Sequence, residues 1–223
     1  MDDGIALLRL MTWLSPAFPT GGFAYSHGLE WSVEAGDITG ETTLTDWADD
    51  VLHHGGLWSD AILLRHAQRA AKSGRDDELR AVAALAAALT ASAERRLETL
   101  AQGTAFVMAA KPWACGKLDV FGGAPVAYPV AVGALAGYLV VDEDAVLLAF
   151  LHAATANLVS AGLRLIPLGQ DAGLRVQAAL EPALLAVVAA TKNAGLDELG
   201  GAAWRSEIAA MKHETQYTRL FRT

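Results

Sequence analysis

The sequence predicts an all-α fold, a single-domain helical bundle of about ten helices. Three observations carry this. No stretch alternates apolar and polar residues with period two for long enough to make a sheet. Several stretches instead repeat apolar residues at i, i+3, i+4 and i+7, the spacing of one helix face. Gly and Pro fall between those stretches, where helices stop. No internal repeat or low-complexity segment stands out. We divide the chain into a helical domain, 1–203, and a C-terminal docking tail, 204–223, that belongs to the same domain.

The first helix is expected over Ile5 to Leu14, stopped by Ser15-Pro16. A second runs from Phe23 to near Gly36. Thr43 reads as an N-cap with Asp46 in the first turn, and Leu44, Trp47, Ala48, Val51 and Leu52 follow as a stripe. Gly55-Gly56 ends that helix, and the next spans Ser59 to Lys72. Asp76-Asp77-Glu78 open an Ala-rich helix to about Leu89, and a long one covers Ser92 to Lys111. Pro112 to Pro129 holds no period and reads as a connection. Helices resume over Val130 to Val140 and Asp142 to Leu163. In the stripe from Val176 to Val188, Pro182 either kinks the helix or starts a new one.

Between the first two helices lies a rigid corner, Ser15 to Glu30. Pro16 and Pro19 fix φ and push Ser15 and Phe18 to extended conformations, and Gly21-Gly22 permit a tight turn. Phe23, Ser26 and Glu30 then fall at helical spacing. The corner is either an elbow whose Phe18, Phe23 and Tyr25 plug the core, or a recognition surface on a stiff base.

Composition limits the partners. Apolar residues make up 53% without Gly, more than one globule of this size hides, which implies apolar surface reserved for self-association or partners. The formal charge of −8 argues against nucleic acid and anionic membrane. One cysteine, Cys115, allows no intramolecular disulfide and fits a reducing compartment; it reads as a small buried residue rather than a soft ligand. The N-terminus lacks the basic flank of a signal peptide, so the expected location is cytoplasmic. Val120 to Val141 and Ala145 to Leu163 carry no charge and are long enough to span a bilayer. Pro and Gly interrupt the first, and His152, Asn157 and Ser160 burden the second. We read both as buried helices.

Catalytic signatures are missing. Gly116-Lys117 is followed by Leu118 and lacks the first Gly of a phosphate loop. Ser26 and His27 are adjacent, so on a helix they point about 100° apart and form no nucleophile–base pair. The six histidines give no pair at metal-ligating helical spacing. Asp49 with His53 and Asp50 with His54 read as surface pairs at a helix C-terminus. Glu94, Arg95, Arg96 and Glu98 read as a solvated face, but Glu94 and Glu98 repel at i, i+4 unless Arg95, Arg96 or a partner neutralises them. Arg164 and Gln170 flank Ile166-Pro167-Leu168-Gly169, where they close a turn or face a partner.

Several stretches, in order along nearly the whole chain, resemble one family. Ser-Pro-Ala-Phe-Pro-Thr-Gly-Gly-Phe-Ala-Tyr-Ser-His-Gly-Leu-Glu at 15–30 is similar to the signature of the UreF family of urease accessory proteins, with mild departures at Phe18, Thr20 and Ala24. Glu94 to Glu98 with Gln102-Gly103, Asn157 to Gln170, and the ending Met211 to Arg222 match further family blocks. Ala127 stands before Tyr128-Pro129 where the family often has His, so a role of that His is not carried over to this chain.

The resemblance implies a non-enzymatic urease maturation factor without cofactor or metal ligands of its own. It implies a homodimer that docks the nickel-carrying accessory GTPase and the urease-side accessory protein and controls GTP-dependent nickel delivery to apo-urease. The implied contact residues are Pro19, Gly21, Gly22, Phe23, Tyr25, Ser26 and Glu30 in the corner, and Arg95, Arg96, Glu98, Arg164 and Gln170 in the middle. In the tail they are His213, Glu214, Tyr217, Arg219 and Phe221. The tail is relatively basic and too short for a stable isolated helix, so it is expected to be mobile when free and to order on binding; the alternative is that it packs on its own bundle and finishes the core. The alternatives are a metal-binding or hydrolytic enzyme on a helical bundle, and a membrane helix pair.

Overall fold

The computed structural model describes residues 3–223. The helices are α1 (Asp3–Trp13), α2 (Leu29–Glu34), α3 (Glu41–His54), α4 (Gly56–Lys72), α5 (Asp76–Ala88), α6 (Ala93–Ala109), α7 (Lys111–Ala114), α8 (Tyr128–Tyr138), α9 (Glu143–Leu165), α10 (Gln170–Ala179), α11 (Glu181–Ala190) and α12 (Trp204–His213). No strand occurs among the described residues.

The centre of the bundle is α8 against α4. Every residue of α8 from Pro129 to Gly137 is buried, so a helix with no polar face needs a full jacket of other helices. α4, α5, α6 and α9 supply it. Gly133 and Gly137, one turn apart, let α8 approach so closely that a side chain at either would run into the main chain of α4 at Leu64 and Gln68. The uncharged run in this part of the sequence is thus explained by burial. Glu143–Leu165 is also apolar enough to cross a membrane, yet half of its apolar window is buried in the bundle.

α9 starts where Asp142 caps it, accepting from the Ala145 N–H at 2.8 Å. Glu143 in its first turn meets two arginines of α4: Arg65, 2.6 Å away and only 1% exposed, and Arg69, also at 2.6 Å. Arg65 also donates to the Val188 carbonyl at 2.6 Å, so one buried guanidinium ties α4 to α9 and α11.

Several sequence expectations need correction. The helix expected from Phe23 begins only at Leu29, because His27 (φ 57°) and Gly28 (φ 78°) are left-handed and break the path. Thr43 is not the N-cap: α3 starts at Glu41, and the Thr43 hydroxyl accepts from the Gly40 N–H at 3.1 Å from inside the first turn. Pro182 starts a new helix rather than kinking one. The connection 112–129 includes α7 and a 3-10 turn, Lys117–Phe121. Cys115 is exposed and is itself the left-handed residue (φ 47°) that ends α7.

Candidate docking site at the corner and the tail

The corner folds by local rules. The Phe18 N–H donates to the Ser15 carbonyl at 2.9 Å, closing the Pro16 turn. Phe18 enters the core beside Phe106 and Trp113, with ring centroids 5.5 and 6.2 Å apart. Gly21 is left-handed (φ 74°), and Gly22–Ala24 form one 3-10 turn. Tyr25 and Ser26 are buried, whereas Phe23 is 69% exposed. The elbow and surface readings therefore divide the aromatics between them: Phe18 and Tyr25 pack, and Phe23 faces out.

The tail packs onto this corner. α12 lies on α2 and α6, and His213 at its end is fully buried. Its Nδ1 is 2.8 Å from Glu94 Oε2 and its Nε2 is 3.0 Å from Glu30 Oε2. Each ring nitrogen thus faces a carboxylate oxygen, and the buried ring bridges α2 and α6. Arg219 adds a cation to Glu94 at 2.9 Å. Glu30 further accepts the N–H groups of Leu220 at 2.6 Å and Phe221 at 2.9 Å. The expectation of a mobile tail is corrected by this arrangement: buried charges on three segments are satisfied only when the tail is in place.

Glu94 and Glu98 are corrected in the same way. They are 6% and 2% exposed, and intramolecular cations neutralise their repulsion. Glu98 sits 2.7 Å from His27 Nε2 and 2.5 Å from Arg95, and accepts from Gln102 at 3.0 Å. Burial pushes its carboxyl up, but Arg95 and His27 overcome this and hold it at about 2. Burial and Arg95 lower the pKa of His27, against the pull of Glu98. Asp60 stands nearby on α4. Burial pushes it up to about 7, with Arg95 opposing and Glu98 reinforcing.

A cavity of about 120 Å3 is lined by His27, Asp60, Arg95, Thr99, Ala127 and Glu207. A second one, bounded by Phe23 and Asn157, shares His27, Asp60, Arg95 and Thr99 with it. Ala127, at the place where the family often has His, is thus a wall of the first cavity.

The structure brings together most of the expected contact residues. Arg164 on α9 stacks over Phe221 at 4.3 Å and Phe23 at 5.5 Å, joining corner and tail. The Glu214 carboxylate accepts from the Ala93 N–H at 3.0 Å. Tyr217 is fully exposed beside them, and Pro19 and Gly21 are exposed at the turn. Arg96 points away to the Ala87 carbonyl, and Gln170 is exposed at the start of α10, outside the cluster. Sequence reasoning missed Asp60, Thr223 and the polar role of His27. The available signals were Asp60 standing one position before the apolar run of α4 and His27 lying inside the signature. Among the described residues no group of three or more His, Cys, Asp or Glu is placed to hold a metal ion.

Comparison with known proteins gives one answer. The UreF family model matches residues 38–181. The urease accessory protein UreF of Rhodopseudomonas palustris strain TIE-1 is 54% identical over 226 residues, covering 100% of this chain and 94% of that protein. The UreF of Bradyrhizobium sp. strain BTAi1 is 50% identical over 224 residues, covering 99% and 93%. Both similarities run through the corner, the buried polar cluster and the tail, so this chain belongs to the UreF family of urease accessory proteins, a non-catalytic family.

Proposed function

We propose that this chain is the adaptor of a nickel-insertion complex. It docks the accessory GTPase and the urease-side accessory protein, and so controls GTP-dependent nickel delivery to apo-urease in the cytoplasm. It acts as a homodimer. One observation carries the reading: the corner and the tail are built into each other by buried charges, and together they present exposed Phe23, Tyr217 and Leu220. Exposed aromatics on a stiff base are the composition of a binding hot spot. Buried Tyr25, Ser26, Glu30, Glu98, His213 and Phe221 shape the surface rather than touch a partner.

Co-purification with the urease accessory proteins tests this. The doubly substituted chain Phe23→Ser, Tyr217→Ser should keep its helicity and thermal midpoint, because both side chains are exposed. It should lose at least one partner. A substituted chain that retains both partners at unchanged affinity overturns the assignment.

A further inference from the structure

We propose that the groove formed by the corner, α2, α6 and α9 is a recognition site for an extended peptide of the form any–aromatic–any–hydroxyl. In this structure Leu220 to Thr223 fill it in cis, and a free peptide of that form competes for it.

The groove reads main chain. Glu30 accepts two successive N–H groups, from Leu220 and Phe221. The Ala24 carbonyl accepts the Arg222 N–H at 2.9 Å. The Ser26 N–H at 2.7 Å and its hydroxyl at 2.6 Å both donate to the Thr223 main-chain oxygen. Every one of the four residues is held through its backbone, which is how an exposed strand edge captures an extended segment.

Side chains then alternate with period two. Phe221 and Thr223 point in and are 4% and 1% exposed, while Leu220 is 66% exposed and Arg222 is also outside. Phe221 lies under the Arg164 guanidinium, and the Thr223 hydroxyl donates to Glu98 Oε2 at 3.1 Å. Two inward side chains give the site its sequence preference.

The receptor half stands without the ligand half. Glu98 is held by His27, Arg95 and Gln102, all outside the tail. Glu30 is held by His213, which belongs to α12 and not to the segment in the groove. Between His213 and Leu220 there is no regular structure, and Glu214 to the Ala93 N–H, Gln216 to Glu34 and Arg219 to Glu94 are the side-chain ties to the bundle. The segment is therefore able to leave while α12 stays docked. An intramolecular ligand of this kind competes at an effective concentration on the order of millimolar, so the filled groove resists a weak free peptide.

The test uses the full chain with its own segment disabled by Phe221→Asp and Thr223→Asp. A fluorescent peptide spanning Glu214 to Thr223 should bind this chain saturably, and at least tenfold more tightly than it binds the unsubstituted chain. Phe221→Ala in the peptide should weaken binding at least tenfold. A substituted chain with native circular dichroism that does not bind the peptide overturns the proposal. So does equal binding of the two peptides. If the substituted chain does not fold, hydrogen exchange on the unsubstituted chain decides. The amides of Leu220, Phe221 and Arg222 should exchange through a local opening, faster than those of α12 and α2. Exchange of these amides only by global unfolding makes the segment plain core and overturns the proposal. None of these readouts needs a partner protein, so failure here is distinct from failure of the adaptor reading.

Discussion

Glu30 shows how one carboxylate changes meaning once its surroundings are known. As part of the signature it reads as a partner contact. In the fold it is 7% exposed and receives His213 and two backbone N–H groups. Glu30→Ala leaves a buried ring nitrogen and two backbone N–H groups without a partner, which costs about 1–3 kcal/mol or more. Urea unfolding should show this loss directly. Asp60 and Glu98 pull the pH dependence of stability in opposite directions. Asp60 is raised from 3.8 to about 7, so between those values the unfolded chain loses its proton first and stability falls as pH rises. Glu98 is lowered from 4.5 to about 2, so its contribution is complete above 4.5 and is lost as pH falls toward 2. Asp60→Asn should therefore gain stability relative to the unsubstituted chain at pH 8 and gain least at pH 4. Denaturant midpoints at the two pH values check the sign.

At the scale of elements, two contacts organise the bundle. α8 touches α4 through glycines, and the approach is set by main chain rather than by side chains. Gly137→Leu has nowhere to place its side chain and should cost about 1–3 kcal/mol or more through overpacking, read as a lowered thermal midpoint. α12 and the tail form the second contact. Arg164→Ala removes the cation from above Phe221 and Phe23 and should cost about 0.5–2 kcal/mol of local stability. Faster hydrogen exchange at Leu220 and Phe221, with α8 unaffected, is the expected result.

At the scale of the whole molecule, the apolar surplus remains visible on the folded chain. Ile5, Leu7, Leu8 and Met11 on α1 are 47–66% exposed, and Trp204, Ile208 and Met211 form an outward stripe on α12. A free monomer rarely exposes so many large apolar side chains in stripes. We expect a dimer at micromolar concentration, measured by light scattering, and a monomer there would remove this reading.

The sequence by itself determined the all-α class, most helix positions and the family. Helical period, caps and Pro or Gly stops act within a few residues, so they are legible in one window of chain. α8 was legible as a buried helix for the same reason: its residues offer no polar face in any direction. Only the tertiary structure decided what the charged residues of the signature do. Glu30 and His213, or His27 and Glu98, are far apart along the chain, and no local period couples them. Whether such a charge is solvated or buried depends on which distant segment returns to cover it. The same reason explains the tail. Its short helix is weak alone, and it is ordered by carboxylates on α2 and α6 whose need for a partner exists only after the bundle has closed around them.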